Sequence, residues 1–182
     1  MKLIGLVGQK QVGKDTLADF IVKKYGYTKM SLAQPLKEAC KSIFQLSNEQ
    51  VNGNLKEVPD ARWNNVTPRK LLQTVGTQLF RDELIKHIPE LNNMENTIWI
   101  HNFNLWYEKN KDKKIVISDI RFIDEANMIT NHGGTLIKIT KGEFNNNDLH
   151  QSEQELSNIQ YDILIENHGT IDEYYNKIDN LF

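Results

Sequence analysis

Continuous apolar runs alternate along this chain with segments whose apolar residues recur every three or four positions. Residues 2–7 (KLIGLV) form such a run and end at a glycine-rich turn, the pattern of a strand buried on both faces. Over 14–24, Leu17, Phe20 and Ile21 fall at helical spacing. A second strand is expected over 28–32. Pro35 then opens a helix that contains Leu36, Ala39, Cys40, Ile43 and Phe44. Residues 47–66 are polar, broken by Asn, Gly and Pro, and read as a loop. Thr67-Pro68 supplies an N-cap and a first-turn proline for a helix to about His87, with Leu72, Val75 and Leu79 as its core-facing stripe. Residues 98–107, with Trp99 and Trp106, are again helical in period, and 111–114 is a charged turn. Residues 115–117 predict a buried strand ending at Ser118-Asp119. A helix follows to about Asn131, closed by Gly133-Gly134. Strands over 136–140 and 161–165 and an amphipathic helix over 170–181 complete the pattern, with a polar stretch at 142–150.

Strands that alternate with helices imply a parallel sheet covered on both faces, here a three-layer α/β fold of about five strands. Ligands of such sheets bind beyond the carboxyl ends of the strands. The 182 residues suit one domain, 1–182, with a helical region over about 34–110 and a small lid over about 141–156. The net charge of −2 gives no broad basic footprint for nucleic acid. No apolar run approaches the roughly 18 residues of a membrane span, so no membrane partner is expected. The single cysteine, Cys40, excludes an intrachain disulfide and fits a reducing, cytoplasmic setting. Asn65-Val-Thr67 matches a glycosylation sequon by chance. Among the 22 Lys and Arg residues only four are arginine, and Arg62, Arg69 and Arg81 cluster while Arg121 stands apart. Arginine suits two-pronged phosphate recognition, so the cluster is either a phosphate device or a set of surface ion pairs.

Gly8-Gln-Lys-Gln-Val-Gly13-Lys14 matches the first seven positions of the Walker A pattern, between a strand and a helix as that motif requires. Its glycines let backbone N–H groups wrap a phosphate, the helix start adds partial positive charge, and Lys14 supplies a full one. The ATP-binding set is therefore Gly8, Lys10, Val12, Gly13, Lys14, Asp15 and Thr16. Asp15 stands where Ser or Thr is usual, so Mg²⁺ is expected near Asp15 or Thr16, with Asp119 as a second carboxylate at its strand end. A kinase also needs an acceptor pocket. Arg69 and Gln73 share one face of the helix from Thr67, and Gly76 continues it with room for a ligand. Asp119 and Arg121 alternate at a strand end, and Glu125 lies one turn further on. Arg121 is placed on the transferring phosphate and Glu125 on the base or sugar, against the alternative of an Arg121–Glu125 surface pair. Trp99 is either a base-stacking face or a core residue. His150, Ser152 and Glu153 are assigned to the lid.

These residues resemble the phage-type deoxynucleoside monophosphate kinase family. The matching segments are GQKQVGKDTLADFI (8–21), LAQPLKEA (32–39), TPRKLLQTVGTQL (67–79), Ile98-Trp99, VISDIRFIDEA (116–126) and HQSEQEL (150–156). The resemblance implies a nucleoside-monophosphate-kinase-like fold, Mg²⁺-ATP as donor and a deoxynucleoside monophosphate as acceptor, in the cytoplasm of a host if the chain is phage-encoded. It implies acceptor contacts from Lys10, Arg69, Gln73, Trp99, Arg121 and Glu125, with His150 at the lid, and catalytic roles for Lys14, Asp119 and Arg121. Small-molecule nucleotides are the expected partners, with a homodimer as one option for assembly. Two departures stand out: Lys141 follows the strand over 136–140 where relatives often carry Arg, and the chain is short between 45 and 66. The alternatives are another small-molecule kinase of dephospho-coenzyme-A-kinase type, or a GTPase module. For the latter, Asn176-Lys-Ile-Asp179 fits the guanine-reading pattern but lies inside a predicted helix.

Overall fold

Among the described residues, five parallel strands form one sheet: β1 (Leu3–Val7), β2 (Thr28–Met30), β3 (Ile115–Ile120), β4 (Thr135–Thr140) and β5 (Ile163–Glu166), in the order β2-β3-β1-β4-β5. This computed structural model describes residues 1–93, 97–142 and 155–182. The chain divides into two compact units, Met1–Leu32 with Trp106–Phe182, and Ala33–Leu105.

The first unit holds the sheet. Every residue of β1 is buried, which explains its unbroken apolar run. Ile4 and Leu6 join a core with Leu17, Ala18 and Ile21 of helix α1 (Lys14–Tyr25), and with Tyr174 and Ile178 of the terminal helix (Ile171–Asp179). The helix Ile123–Asn131 packs against β1 and β4. Parallel pairing sets Val7 beside Ile120 on one flank and Lys138 on the other, so β1 ends between two strand ends. The third strand runs past Ser118 to Ile120, which places Asp119 within it rather than at its end. The second strand stops at Met30, and the fifth is Ile163–Glu166 rather than 161–165.

The second unit is helical. It contains α2 (Gln34–Phe44), α3 (Asn48–Val51), α4 (Pro68–Gln73), α5 (Leu84–His87) and the first turns of α6 (Ile98–Glu108). The helices of the first unit are then α7 (Ile123–Asn131) and α8 (Ile171–Asp179). Leu36, Cys40, Leu46, Val51 and Val75 form the core of this unit. Residues 47–66 are not the loop expected from composition. Ser47 caps α3 in a capping box, two 3₁₀ turns follow at Asn54–Glu57 and Ala61–Trp63, and Asp60 pairs with Val66. Buried Asp60 organises this segment, accepting from Gln50 Nε2 (2.7 Å), Arg62 Nε (3.0 Å) and a terminal Arg62 nitrogen (2.6 Å). Arg62 is thus a structural residue.

Thr67 caps the next helix as its sequence indicates, its hydroxyl accepting from Lys70 N at 3.2 Å. Between α4 and α5 the backbone winds as a π-helix over Thr74–Glu83, which the sequence does not announce. Its i→i+5 bonding breaks a stripe laid out for 3.6 residues per turn. Val75 is buried, but Leu79 is half-exposed instead of facing the core. Gly76 does not leave room for a ligand. A Cβ there would lie 2.5 Å from Leu36 Cδ2, and its carbonyl accepts from Trp99 Nε1 at 3.0 Å. Gly76→Ala should therefore lower stability by about 1 kcal/mol through overpacking. Thermal unfolding would register that loss. An unchanged melting temperature with weakened acceptor binding would return Gly76 to the ligand.

Candidate active site

The phosphate loop joins β1 to α1. Gly8 has φ 152° and Gly13 φ 104°, both in the left-handed half of the map, and Gln11 follows them there at 65°. A Cβ on Gly8 would lie 2.4 Å from the backbone oxygen of Ile139 in β4, so only glycine fits. On Gly13 it would lie 2.7 Å from Asn167 Nδ2. No side chain caps α1 at Gly13, and a helix head of this kind favours an anion.

Asn167 and Tyr174 brace this loop, and neither stood out in the sequence. Asn167 follows β5, its backbone N donating to Thr140 O at 2.8 Å. Its side-chain amide donates to Val12 O at 2.9 Å, and Tyr174 Oη donates to Gly13 O at 3.2 Å. Burial pushes the Tyr174 phenol well above its ordinary pKa, so it remains a hydrogen-bond donor.

Lys14 is only 8% exposed and its ammonium donates to Gly8 O (2.6 Å) and Gln9 O (2.5 Å). The expected mobile charge is instead tied across its own loop. Asp15 meets Lys29 of β2 at 2.9 Å, and Lys29 also holds Asp19 at 2.9 Å. Desolvation by surrounding protein works to raise the Asp15 pKa. Hydrogen bonds to Lys29 and Ser118, with the charges of Lys29 and Lys14, outweigh it and hold the carboxyl below its usual value. The mirror effect raises Lys29: desolvation opposes its charge, but Asp15 and Asp19 more than offset it. Asp119 accepts from Ser31 Oγ (2.6 Å) and Leu32 N (3.0 Å), fastening it to the chain beyond β2. Thr16 is half-buried, Val12 is buried and Lys10 is exposed.

Just past the same carboxyl end of β3, Glu125 caps the helix that follows. It is 5% exposed, and its Oε2 accepts from the backbone N of Arg121 (2.8 Å) and Phe122 (3.2 Å), capping α7. Glu125 thus meets Arg121 through the Arg121 backbone N–H. The Arg121 side chain is half-buried.

In the second unit, Arg69 and Gln73 are both half-buried on α4. Arg69 Nε donates to Glu57 Oε1. Trp99 is half-buried, tilted against Phe80 at 5.6 Å between ring centroids, with its indole N–H spent on Gly76. His150, Ser152 and Glu153 lie outside the described residues, as does most of the expected lid. Among the described residues, no three His, Cys, Asp or Glu side chains gather as a metal cage. The oxygens of Asp15, Thr16, Ser118 and Asp119 are hard donors of the kind Mg²⁺ takes when phosphate and water complete its shell.

A parallel sheet with β1 at its middle, a glycine loop at the head of α1 and a lysine folded over that loop define a P-loop kinase fold. The family profile described as deoxynucleotide monophosphate kinase matches residues 2–64 and 42–178, and the chain belongs to that family. A relative from Acanthamoeba polyphaga mimivirus, provisionally named for the same activity, is 46% identical over 185 residues, spanning 98% of this chain and 94% of that protein. The deoxynucleotide monophosphate kinase of Enterobacteria phage T4 is 24% identical over 246 residues, spanning 99% of this chain and 98% of the phage protein. That alignment is longer than this chain, so the phage enzyme carries residues absent here. A solved dephospho-CoA kinase from Campylobacter jejuni superposes with a TM-score of 0.49 at 14% identity, covering 99% of this chain and 94% of that one.

Asn167→Ala should loosen the loop without touching the acceptor side. The KM for ATP should rise about tenfold, the scale of a small misplacement of a binding group, with the acceptor KM unchanged. Steady-state kinetics with each substrate varied would check this, and a rise confined to the acceptor would contradict the brace.

Proposed function

We propose that this chain transfers the γ-phosphoryl group of ATP to a deoxynucleoside monophosphate, giving the diphosphate. The observation that carries the reading is the uncapped head of α1 with Lys14 tethered over it, in a chain of this family. Backbone N–H groups of residues 8–16 bind the polyphosphate, and Lys14 exchanges its two carbonyl partners for phosphate oxygens. Asp15, Thr16 and Asp119 would hold Mg²⁺, directly or through water. The ion supplies neutralisation of charge between the β- and γ-phosphates when bound. Asp15 suits this role because its neighbours keep it ionised.

Arg69 and Gln73 take the acceptor's phosphate, and half-buried Trp99, its indole N–H on Gly76 and its ring against Phe80, offers the exposed part of its ring to the base. Arg121 offsets charge on the moving phosphoryl group. Glu125 contributes by fixing the Arg121 backbone through its Oε2. Small-molecule nucleotides are the partners of this chemistry, and a cytoplasmic setting follows from where ATP and nucleotides are available. No helix among the described residues is long and apolar enough to cross a membrane.

An ATP-coupled assay across the four deoxynucleoside monophosphates and their ribose forms tests the substrate class. Turnover of dephospho-coenzyme A but of no nucleotide would discard it. Lys14→Ala should lower kcat by about 10²–10³-fold, as for loss of one preorganised donor, with an unchanged circular dichroism spectrum. Near-wild-type turnover in that variant would remove the loop from the mechanism.

A further inference from the structure

We propose that Glu57 is a positioning residue for the acceptor monophosphate, acting through Arg69. The inference rests on the reading of Arg69 as an acceptor contact. Its structural basis is the way the two side chains meet. The guanidinium is a planar fork with five N–H donors on two usable edges. Arg69 gives Glu57 its Nε, and among the described residues that is the hydrogen bond its guanidinium makes. Its terminal nitrogens are thereby left to the other edge, the one that grips a phosphate two-pronged.

The segment that presents Glu57 is stiffened. Gly53 leads into the 3₁₀ turn Asn54–Glu57, closed by Val58 N donating to Leu55 O at 3.2 Å. Beyond it, Asp60 ties Gln50 and Arg62 together, and Arg62 donates on to Gln45 O at 3.3 Å. Arg69 itself sits one residue past buried Pro68, whose φ is fixed and whose helix is capped by Thr67. Both partners therefore spring from constrained backbone, and the bond between them fixes a side chain that otherwise samples many rotamers. Glu57 is 59% exposed on its side chain, so water screens its charge and a phosphate dianion beside Arg69 is not strongly repelled.

Kinetics on the full chain test this. Glu57→Ala should raise the acceptor KM about fivefold, the scale on which an exposed pair acts, with kcat, the ATP KM and the melting temperature unchanged. Glu57→Gln should restore most of the affinity, because an amide oxygen still accepts from Nε. Within an Arg69→Ala background, Glu57→Ala should add nothing. A lower acceptor KM in Glu57→Ala would mean that the carboxylate competes with phosphate, and would overturn the proposal. So would an unchanged KM, a Glu57→Gln variant no better than alanine, or a further rise in the Arg69→Ala background. Arg69→Ala with wild-type acceptor KM is a separate failure: it would remove Arg69 from the acceptor and the proposal with it.

Discussion

The approach of Gly8 to the backbone oxygen of Ile139 is the constraint on which this molecule's chemistry depends. At that spacing no side chain is admissible, and the chain must turn with φ in the left-handed half of the map. The turn becomes the concave face that presents N–H groups to a polyphosphate. It exists because β1 lies between β3 and β4, so the loop leaves the sheet where two neighbouring strands also end. One neighbour brings Ser118 and Asp119, and the other sends its chain on to β5 and Asn167. A parallel sheet of this order makes a ligand crevice as a consequence of connectivity.

Around that loop every formal charge already has a partner from within the protein. Lys14 is held by two carbonyls, Asp15 by Lys29, and Asp119 by a hydroxyl and an N–H. Each bond is made to a group that phosphate, metal or water can replace in kind. Such a site keeps its charged groups oriented without burying an uncompensated ion, whose desolvation would be costly. Preorganisation of this sort lowers the reorganisation required when the nucleotide arrives.

The strands β1 and β3 were legible because buried parallel strands are apolar on both faces, and in KLIGLV the run ends at a glycine-rich turn. The cap at Thr67 was legible because its chemistry is local. Residues 47–66 were not, since their order comes from Asp60, a single buried carboxylate that recruits Gln50 and Arg62 across several turns. The π-helix was hidden for another reason. It preserves a helical composition while changing the period, so Leu79 leaves the stripe it seems to belong to. Gly76 and Glu125 show the same limit at single positions. A glycine on a polar face and a glutamate one turn past an arginine are equally consistent with ligand binding and with packing or capping. The position of Leu36 gives Gly76 a packing role, and two backbone N–H groups give Glu125 a capping one.

The clustered arginines carry that distinction furthest. Composition marked Arg62 and Arg69 alike as phosphate candidates, yet their partners separate them. Arg62 meets a carboxylate that is 8% exposed, through Nε and a terminal nitrogen at once, and donates a further bond to Gln45 O. To free it would strand a buried charge, a loss far larger than an exposed pair's. Arg69 meets an exposed carboxylate through Nε alone. Breaking or bending that contact costs little, and the guanidinium keeps its other edge. Two arginines seven positions apart thus hold the same charge under opposite constraints, one committed to the fold and one available to a ligand.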